Sequence, residues 1–400
     1  MPRRADINVE TGVITAHWNG AGTNYIVQAN NGYYYMVSTD ALSDVSFRKS
    51  ADGITWGNAV AVFAGTATNL AIWYDRWTDT SGTLGDLIHC VYTESATDDT
   101  LYRTINTASS DALSTQTVIF AGASTAGGGH LSVTRAVGGN VYCKTVIDAG
   151  AEGGFYRLPT ANVPNGAWDA ARTVDEAIAT TDLMILLPDY DAADTQDILA
   201  FFWDASANEV SRKLYDDSAN SWAETSIAGS MFEVAATTAF SNFAAAPDPT
   251  NTRHLLVAWS NTDTNLADLR CWTVDASTIT EVTNVVLNST DDQGLAAIGI
   301  DTSTGYWHVF YAGASAGGET WNTAVNVYTK VSQDSGSTWG PETLMTSTNL
   351  GARTLRTLYT APRFTGPPIV AYVVDGAQVD DLKVNVDMVE PRASLMLGVI

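Results

Sequence analysis

Positive charge is what this 400-residue chain has least of. It contains only five lysines, and 44 acidic side chains against 20 basic ones leave a net charge of −24. Sequence-independent binding to nucleic acid needs Lys and Arg to displace counterions, so no nucleic-acid partner is expected. An anionic membrane surface is disfavoured for the same reason. Cysteine is also scarce. Cys90, Cys143 and Cys271 cannot make a disulfide framework, and each lies in a strand-like run where a buried free thiol is expected. No run approaches the ~18 apolar residues of a membrane span. The first ten residues lack the apolar core of a Sec signal, and Arg3-Arg4 alone does not make a twin-arginine signal. The expectation is a chain made in the cytoplasm without a signal peptide. No long helical period, nucleophile elbow or phosphate-binding loop is found. His130 has no partner at zinc-ligand spacing.

What is present is a repeat. A basic residue recurs as Arg48, Arg103, Arg157, Arg212, Arg270, Lys330 and Lys383, at intervals of 53 to 60 residues. These lie in one strand of each unit. A second apolar run precedes each of them, including Tyr33–Ser38, Leu87–Thr93, Ile198–Asp204 and Trp307–Ala312. A third set lies earlier still, from Tyr25–Gln28 and Leu70–Tyr74 to Leu355–Thr360. Fourth strands follow, such as Val60–Phe63 and Thr117–Phe120. The runs are β-branched and aromatic and are separated by Gly, Asn, Asp and Ser, as strands require.

Two turns are spelled out more fully. Ser332-Gln-Asp334-Ser-Gly336-Ser-Thr-Trp339 follows a strand-like run, and Ser50-Ala-Asp52-Gly53-Ile-Thr-Trp56 is a shorter copy. Ser and Asp side chains bond nearby backbone N–H groups, Gly tolerates positive φ, and Trp folds back over the blade edge. These turns resemble the Asp box (BNR repeat) of sialidase-like β-propellers. The resemblance implies a structural role for the box, on the face away from the active site.

Seven units of four strands predict an all-β fold, a seven-bladed β-propeller with four-stranded antiparallel blades. The blade limits are 21–66, 67–122, 123–178, 179–230, 231–289, 290–348 and 349–390. The last unit lacks a fourth strand, and 12–18 is predicted to supply it, because an open ring leaves two unpaired edges. The apolar tail 391–400 is expected to cover a blade or to contact a second copy of the chain.

Ligands in such a ring meet the face made by second-to-third and fourth-to-first loops. Glu319 and Trp321 pair a carboxylate with an aromatic suited to stacking on a sugar, and Arg353 and Arg356 lie beside them in the ring. The competing reading is a Gly-rich surface loop whose Trp packs on its neighbour. The acids Asp44, Asp98, Asp99, Glu152, Asp182, Asp291, Asp292 and Glu319 lie on suitable loops. A glycosidase would need two of them facing each other across the channel. The resemblance also implies, for a sialidase, an arginine triad. Tyr156-Arg157-Leu158-Pro159 is similar to its first motif, but Arg157 belongs to the repeated basic register. Sialidases have six blades, and seven are counted here, which argues against that activity. Asp189, Asp191, Asp194 and Asp197 offer hard oxygens of the kind calcium takes, but lack the Gly and terminal Glu of an EF-hand loop. A plain acidic turn is preferred, and no metal or cofactor is expected.

The leading reading is a non-catalytic binding or assembly module contacting carbohydrate or a partner protein. Its expected setting is a bacteriophage or viral surface, as a head decoration or tail adsorption component. The alternative is a glycoside hydrolase or sialidase-like enzyme with its site in the central channel.

Overall fold

Leu183–Pro188 and Ile198–Asp204 are apolar almost throughout, and nearly every residue in both is buried. Ser221–Gly229, two strands further out in the same sheet, is mostly exposed. Strands near the axis bury both faces against neighbouring sheets, so they read as continuous apolar runs instead of alternating ones. Strands at the rim face water. The gradient from axis to rim is thus written into each repeat.

A computed structural model describes residues 6–13, 25–40, 42–122, 131–145, 154–174, 183–191, 193–204, 207–229, 243–263, 266–287, 294–313, 326–346, 355–374 and 380–386. Its strands form seven small, mainly antiparallel sheets, each following the chain order from the inside outwards. The inner strands touch in sequence around a closed ring, with blade one meeting blades two and seven. This is the predicted seven-bladed propeller. Several predicted strands recur residue for residue, among them Val60–Phe63, Thr117–Phe120, Ile198–Asp204, Trp307–Ala312, Leu355–Thr360 and Ile369–Val374. Cys90, Cys143 and Cys271 are buried free thiols. Among the described residues, no helix is long and apolar enough to cross a membrane.

The sheets depart from the ideal in three places. The N-terminal strand that closes the ring is Ile7–Val13, paired antiparallel with Asp380–Val386, instead of 12–18. Ile7 and Val9 alternate with Asn8 and Glu10, and Val9 is buried, so this stretch has the period-two pattern that an outer strand needs. Blade three has three described strands, with Arg172 bridging Phe155 in the fourth position. Arg363–Phe364, from the first turn of blade seven, pairs in parallel with the inner edge of blade six at Ile300 and Asp301.

The two Ser-Asp-Gly turns make the backbone bonds expected of their side chains. Ser50 Oγ accepts from the Gly53 N–H at 2.8 Å, and Asp52 Oδ1 accepts from the Ile54 and Thr55 N–H groups at 2.8 and 2.7 Å. In the second, Ser332 Oγ accepts from Gly336 N at 2.8 Å, and Asp334 Oδ1 from Thr338 N at 2.8 Å. Gly53 and Gly336 have φ of 71° and 83°. Trp339 reaches further than its own blade edge: its Nε1–H donates to Thr283 O of blade five at 2.8 Å.

The repeated basic residues join blades. Arg103 Nη1 donates to Val62 O of blade one at 2.5 Å, and Lys330 Nζ to Val285 O of blade five at 3.0 Å. Arg157 pairs with Asp217 of blade four at 2.7 Å, and Arg212 donates to Asp275 O of blade five at 2.7 Å. Arg270 pairs instead with Glu281 of its own blade, at 2.7 Å. Arg157 is therefore committed to an interblade ion pair.

Candidate functional site

Glu319, Trp321 and Arg353 lie outside the described residues. Arg356 sits in the inner strand Leu355–Thr360 of blade seven, with its side chain also outside them. Among the candidate acids, Asp44 and Asp99 each spend an oxygen on the backbone of their own blade. Gly65 N–H donates to Asp44 at 2.8 Å, and Gly122 N–H to Asp99 at 2.7 Å. Asp98 lies in the same turn as Asp99, with a φ of 58°. Glu152, Asp182, Asp291 and Asp292 fall outside the described residues, like the tail 391–400. The acidic turn behaves as a turn: Asp189, Asp194 and Asp197 accept from the N–H groups of Asp191, Gln196 and Asp217. No group of three or more His, Cys, Asp or Glu side chains converges on a metal position among the described residues.

The described site lies at the other end of the channel, on the side of the Ser50 and Ser332 turns. The first-to-second turns of blades one, two, six and seven converge there around a cavity of about 420 Å³. Blade two contributes the short helix Asp75–Thr78, whose Trp77 is 1% exposed. Tyr190 of blade four donates its hydroxyl to Trp77 O at 2.8 Å, so the helix is held from across the ring. Its base is fixed as well. The buried Asp75 carboxylate meets Arg135 Nη1 at 2.7 Å, His89 Nε2 at 2.8 Å and the Leu87 N–H at 2.9 Å. Burial alone would raise the Asp75 carboxyl, but His89 and Arg135 outweigh it and hold it below the usual carboxylate range.

Around the cavity, Gln28 bridges blades one and seven. Its Nε2 donates to Thr365 O at 3.0 Å, and its Oε1 accepts from the Thr365 N–H. Thr302 and Thr365 share a hydroxyl–hydroxyl bond of 2.8 Å. Tyr74 accepts from the Asn30 N–H at 3.0 Å and donates to Asp86 at 3.0 Å. Burial pushes its hydroxyl up to about 12, so the phenol keeps its proton at neutral pH. Arg76 is neutralised by the same Asp86, at 2.9 and 3.2 Å.

Arg363 is different. The two-residue pairing with blade six fixes its backbone at the channel mouth. Burial pulls its guanidinium below the ordinary arginine range, with Tyr190 and Asp248 acting in the opposite direction. Yet Asp248 is already engaged by Arg253 at 3.1 Å and by Asn251 at 2.8 Å. The sequence reading missed this cluster because it placed ligands on the opposite face. The available signal was that Arg76 and Arg363 stand outside the repeated basic register, in first-to-second turns.

No protein-family model matches the chain, and no curated protein matches it. Solved structures do. An ulvan lyase described as a new family of polysaccharide lyase is 10% identical over 96% of each chain, with a TM-score of 0.54. An ulvan lyase bound to -[GlcA(1-4)Rha3S]- is 11% identical over 96% of this chain and 95% of its own, with a TM-score of 0.51. A hydrazine synthase of Kuenenia stuttgartiensis is 8% identical over 91% of this chain and 94% of its own, at 0.51. What these likenesses establish is the fold. Enzymes of unrelated chemistry share it, so the site must carry any functional reading.

Proposed function

We propose that this propeller is a carbohydrate-binding module that holds its ligand at the channel mouth without turning it over. The observation carrying the reading is the lining of the 420 Å³ cavity: amide, hydroxyl, guanidinium and aromatic groups from four blades. Sugars are recognised in this way, by directional hydrogen bonds set beside apolar ring faces. Among its lining residues there is no carboxylate and no imidazole, and the Tyr74 phenol holds its proton, so the cavity supplies no general base. A glycoside hydrolase acting in this cavity would need a facing carboxylate pair, and no described residue lining the cavity provides one. Likeness to the ulvan lyases is compatible with carbohydrate contact, and a virion setting gains no support from the fold.

Saturation-transfer NMR against a mixed pool of neutral, uronate-containing, sulfated and sialylated oligosaccharides tests the reading. Transfer without new anomeric signals is the expected result. Slow appearance of new anomeric signals would mean turnover and would overturn the non-catalytic reading. Absence of any transfer would overturn the carbohydrate reading.

A further inference from the structure

We infer that Arg363 recognises an oxyanion on the ligand, so that the sugar taken at the channel mouth carries a carboxylate or a sulfate ester. This rests on the carbohydrate reading of the same cavity. The decisive comparison is with the other arginines. Arg48, Arg76, Arg103, Arg135, Arg157, Arg172, Arg212, Arg253 and Arg270 each donate to a carboxylate, a carbonyl or a hydroxyl. Arg363 is the one guanidinium among the described side chains with no hydrogen bond or ion pair to a described residue, although it is partly buried and lines the cavity. A partly desolvated charge without a directly bonded counter-ion is costly, and an anion from outside lowers that cost.

The surrounding carboxylates cannot take the role. Asp86 is held by Arg76 and Tyr74, and Asp248 by Arg253 and Asn251. Asp301 is used up in its own turn, accepting from Ser303 N at 2.9 Å, Ser303 Oγ at 2.7 Å and Thr304 Oγ1 at 2.8 Å. A second unmet donor lies in the same wall. Trp77 lines the cavity, and its buried Nε1–H has no hydrogen-bond partner among the described residues. One guanidinium with no ion pair to a described residue matches a single negative charge. A dianionic phosphate would face Asp86, Asp248 and Asp301 with too little compensation, whereas a uronate or a sugar sulfate presents two coplanar or near-coplanar oxygens to the guanidinium fork.

The test titrates the folded protein with trigalacturonate, a carrageenan-derived disaccharide sulfate, neutral maltotriose and inorganic sulfate. Wild type is compared with Arg363→Gln and Arg363→Lys. Binding of one acidic probe should weaken at least about tenfold in Arg363→Gln and be partly recovered in Arg363→Lys, while maltotriose shows no such loss. Which acidic probe binds decides between carboxylate and sulfate. If both acidic probes and maltotriose bind equally and Arg363→Gln changes none of them, the oxyanion inference falls and the carbohydrate reading stands. Should inorganic sulfate bind through Arg363 while no sugar does, the carbohydrate reading falls and anion recognition stands. If Arg363→Gln fails to fold, the wild-type Arg363 Nε–H resonance gives the answer. It should move on adding sodium glucuronate or glucose 6-sulfate and stay still with glucose; no movement with either acid overturns the inference.

Discussion

Arg48 Nε donates to Glu10 Oε2 at 2.9 Å, and this pair joins the third strand of blade one to the outer strand of blade seven. It lies at the seam where the ring closes. Both side chains are mostly covered, so the pair is screened less than an ordinary surface ion pair. Glu10→Gln should cost about 1–2 kcal/mol in urea denaturation, because it leaves a partly buried guanidinium short of its counter-charge. Deleting residues 1–13 removes the whole closing strand and should lower the melting temperature sharply. An unchanged melt would show that the ring does not depend on this strand.

Gly336 and Gly366 share a left-handed conformation, with φ of 83° and 86°, but differ in their surroundings. A methyl group on Gly336 would stand 2.6 Å from Trp307 Cζ3 and 2.8 Å from Val282 Cγ2, while one on Gly366 would meet nothing within 4 Å. Gly366→Ala should therefore cost about 1 kcal/mol, the backbone penalty alone. Gly336→Ala adds a clash in a packed core and should cost about 2–3 kcal/mol. Equal urea midpoints for the two variants would contradict the packing described around Gly336.

Asp75 is the one buried carboxylate shared by Arg135 and His89. Asp75→Ala strands the Arg135 charge in the interior and frees the base of the helix that lines the cavity. A loss of about 3–5 kcal/mol is expected, read by thermal or chemical denaturation. Arg135→Met with Asp75→Leu should recover part of it, since an apolar pair leaves no buried charge unmet.

Two groups pull the pH dependence of stability in opposite directions. His254 is buried and donates to Pro188 O at 2.7 Å, and burial lowers its pKa from 6.5 to about 4. It stays neutral in the fold while the unfolded chain takes up a proton. Its contribution, about 3 kcal/mol, is complete above pH 6.5 and is lost as the pH falls to about 4. Asp197 runs the other way. Burial, with Asp194, Asp216 and Asp189 nearby, raises it from 3.8 to about 6. Its relative stabilisation is present below pH 3.8 and is lost as the pH rises through 6. Asp197→Asn keeps the acceptor for the Asp217 N–H and should gain about 1 kcal/mol at pH 7.5 after solvent screening, with the gain fading by pH 4. Denaturation midpoints across pH 4–8 check both signs.

The fold was legible because each strand position has its own chemistry. Inner runs such as Leu183–Pro188 are apolar on both faces, third strands carry a basic residue in one repeated register, and turns bearing Ser, Asp and Gly follow two of them. The closing strand was placed a few residues too late. Ile7-Asn-Val-Glu is short and polar on alternate positions, and only its pairing with Leu382 and Val384 distinguishes it from a loop. The described cavity was not legible. Gln28 ends an inner strand and Thr302 and Thr365 are common turn residues, and what sets them apart is that a parallel pairing carries Arg363 across to blade six, a contact between segments 63 residues apart. That relation leaves no periodic trace in the sequence.

Blade seven joins residues 7–13 to Leu355–Thr360, Ile369–Val374 and Asp380–Val386, so its outer strand is synthesised before the six other blades and pairs only after them. Until then the growing chain holds six sheets in an open arc whose two end blades each leave an apolar face uncovered, and both faces are able to associate with other chains. Ring closure therefore acts as a measure of completeness. A chain that stops short of residue 380 has every blade-forming signal up to that point and still cannot bury its ends, and it should be removed by aggregation or proteolysis in place of persisting as a smaller propeller.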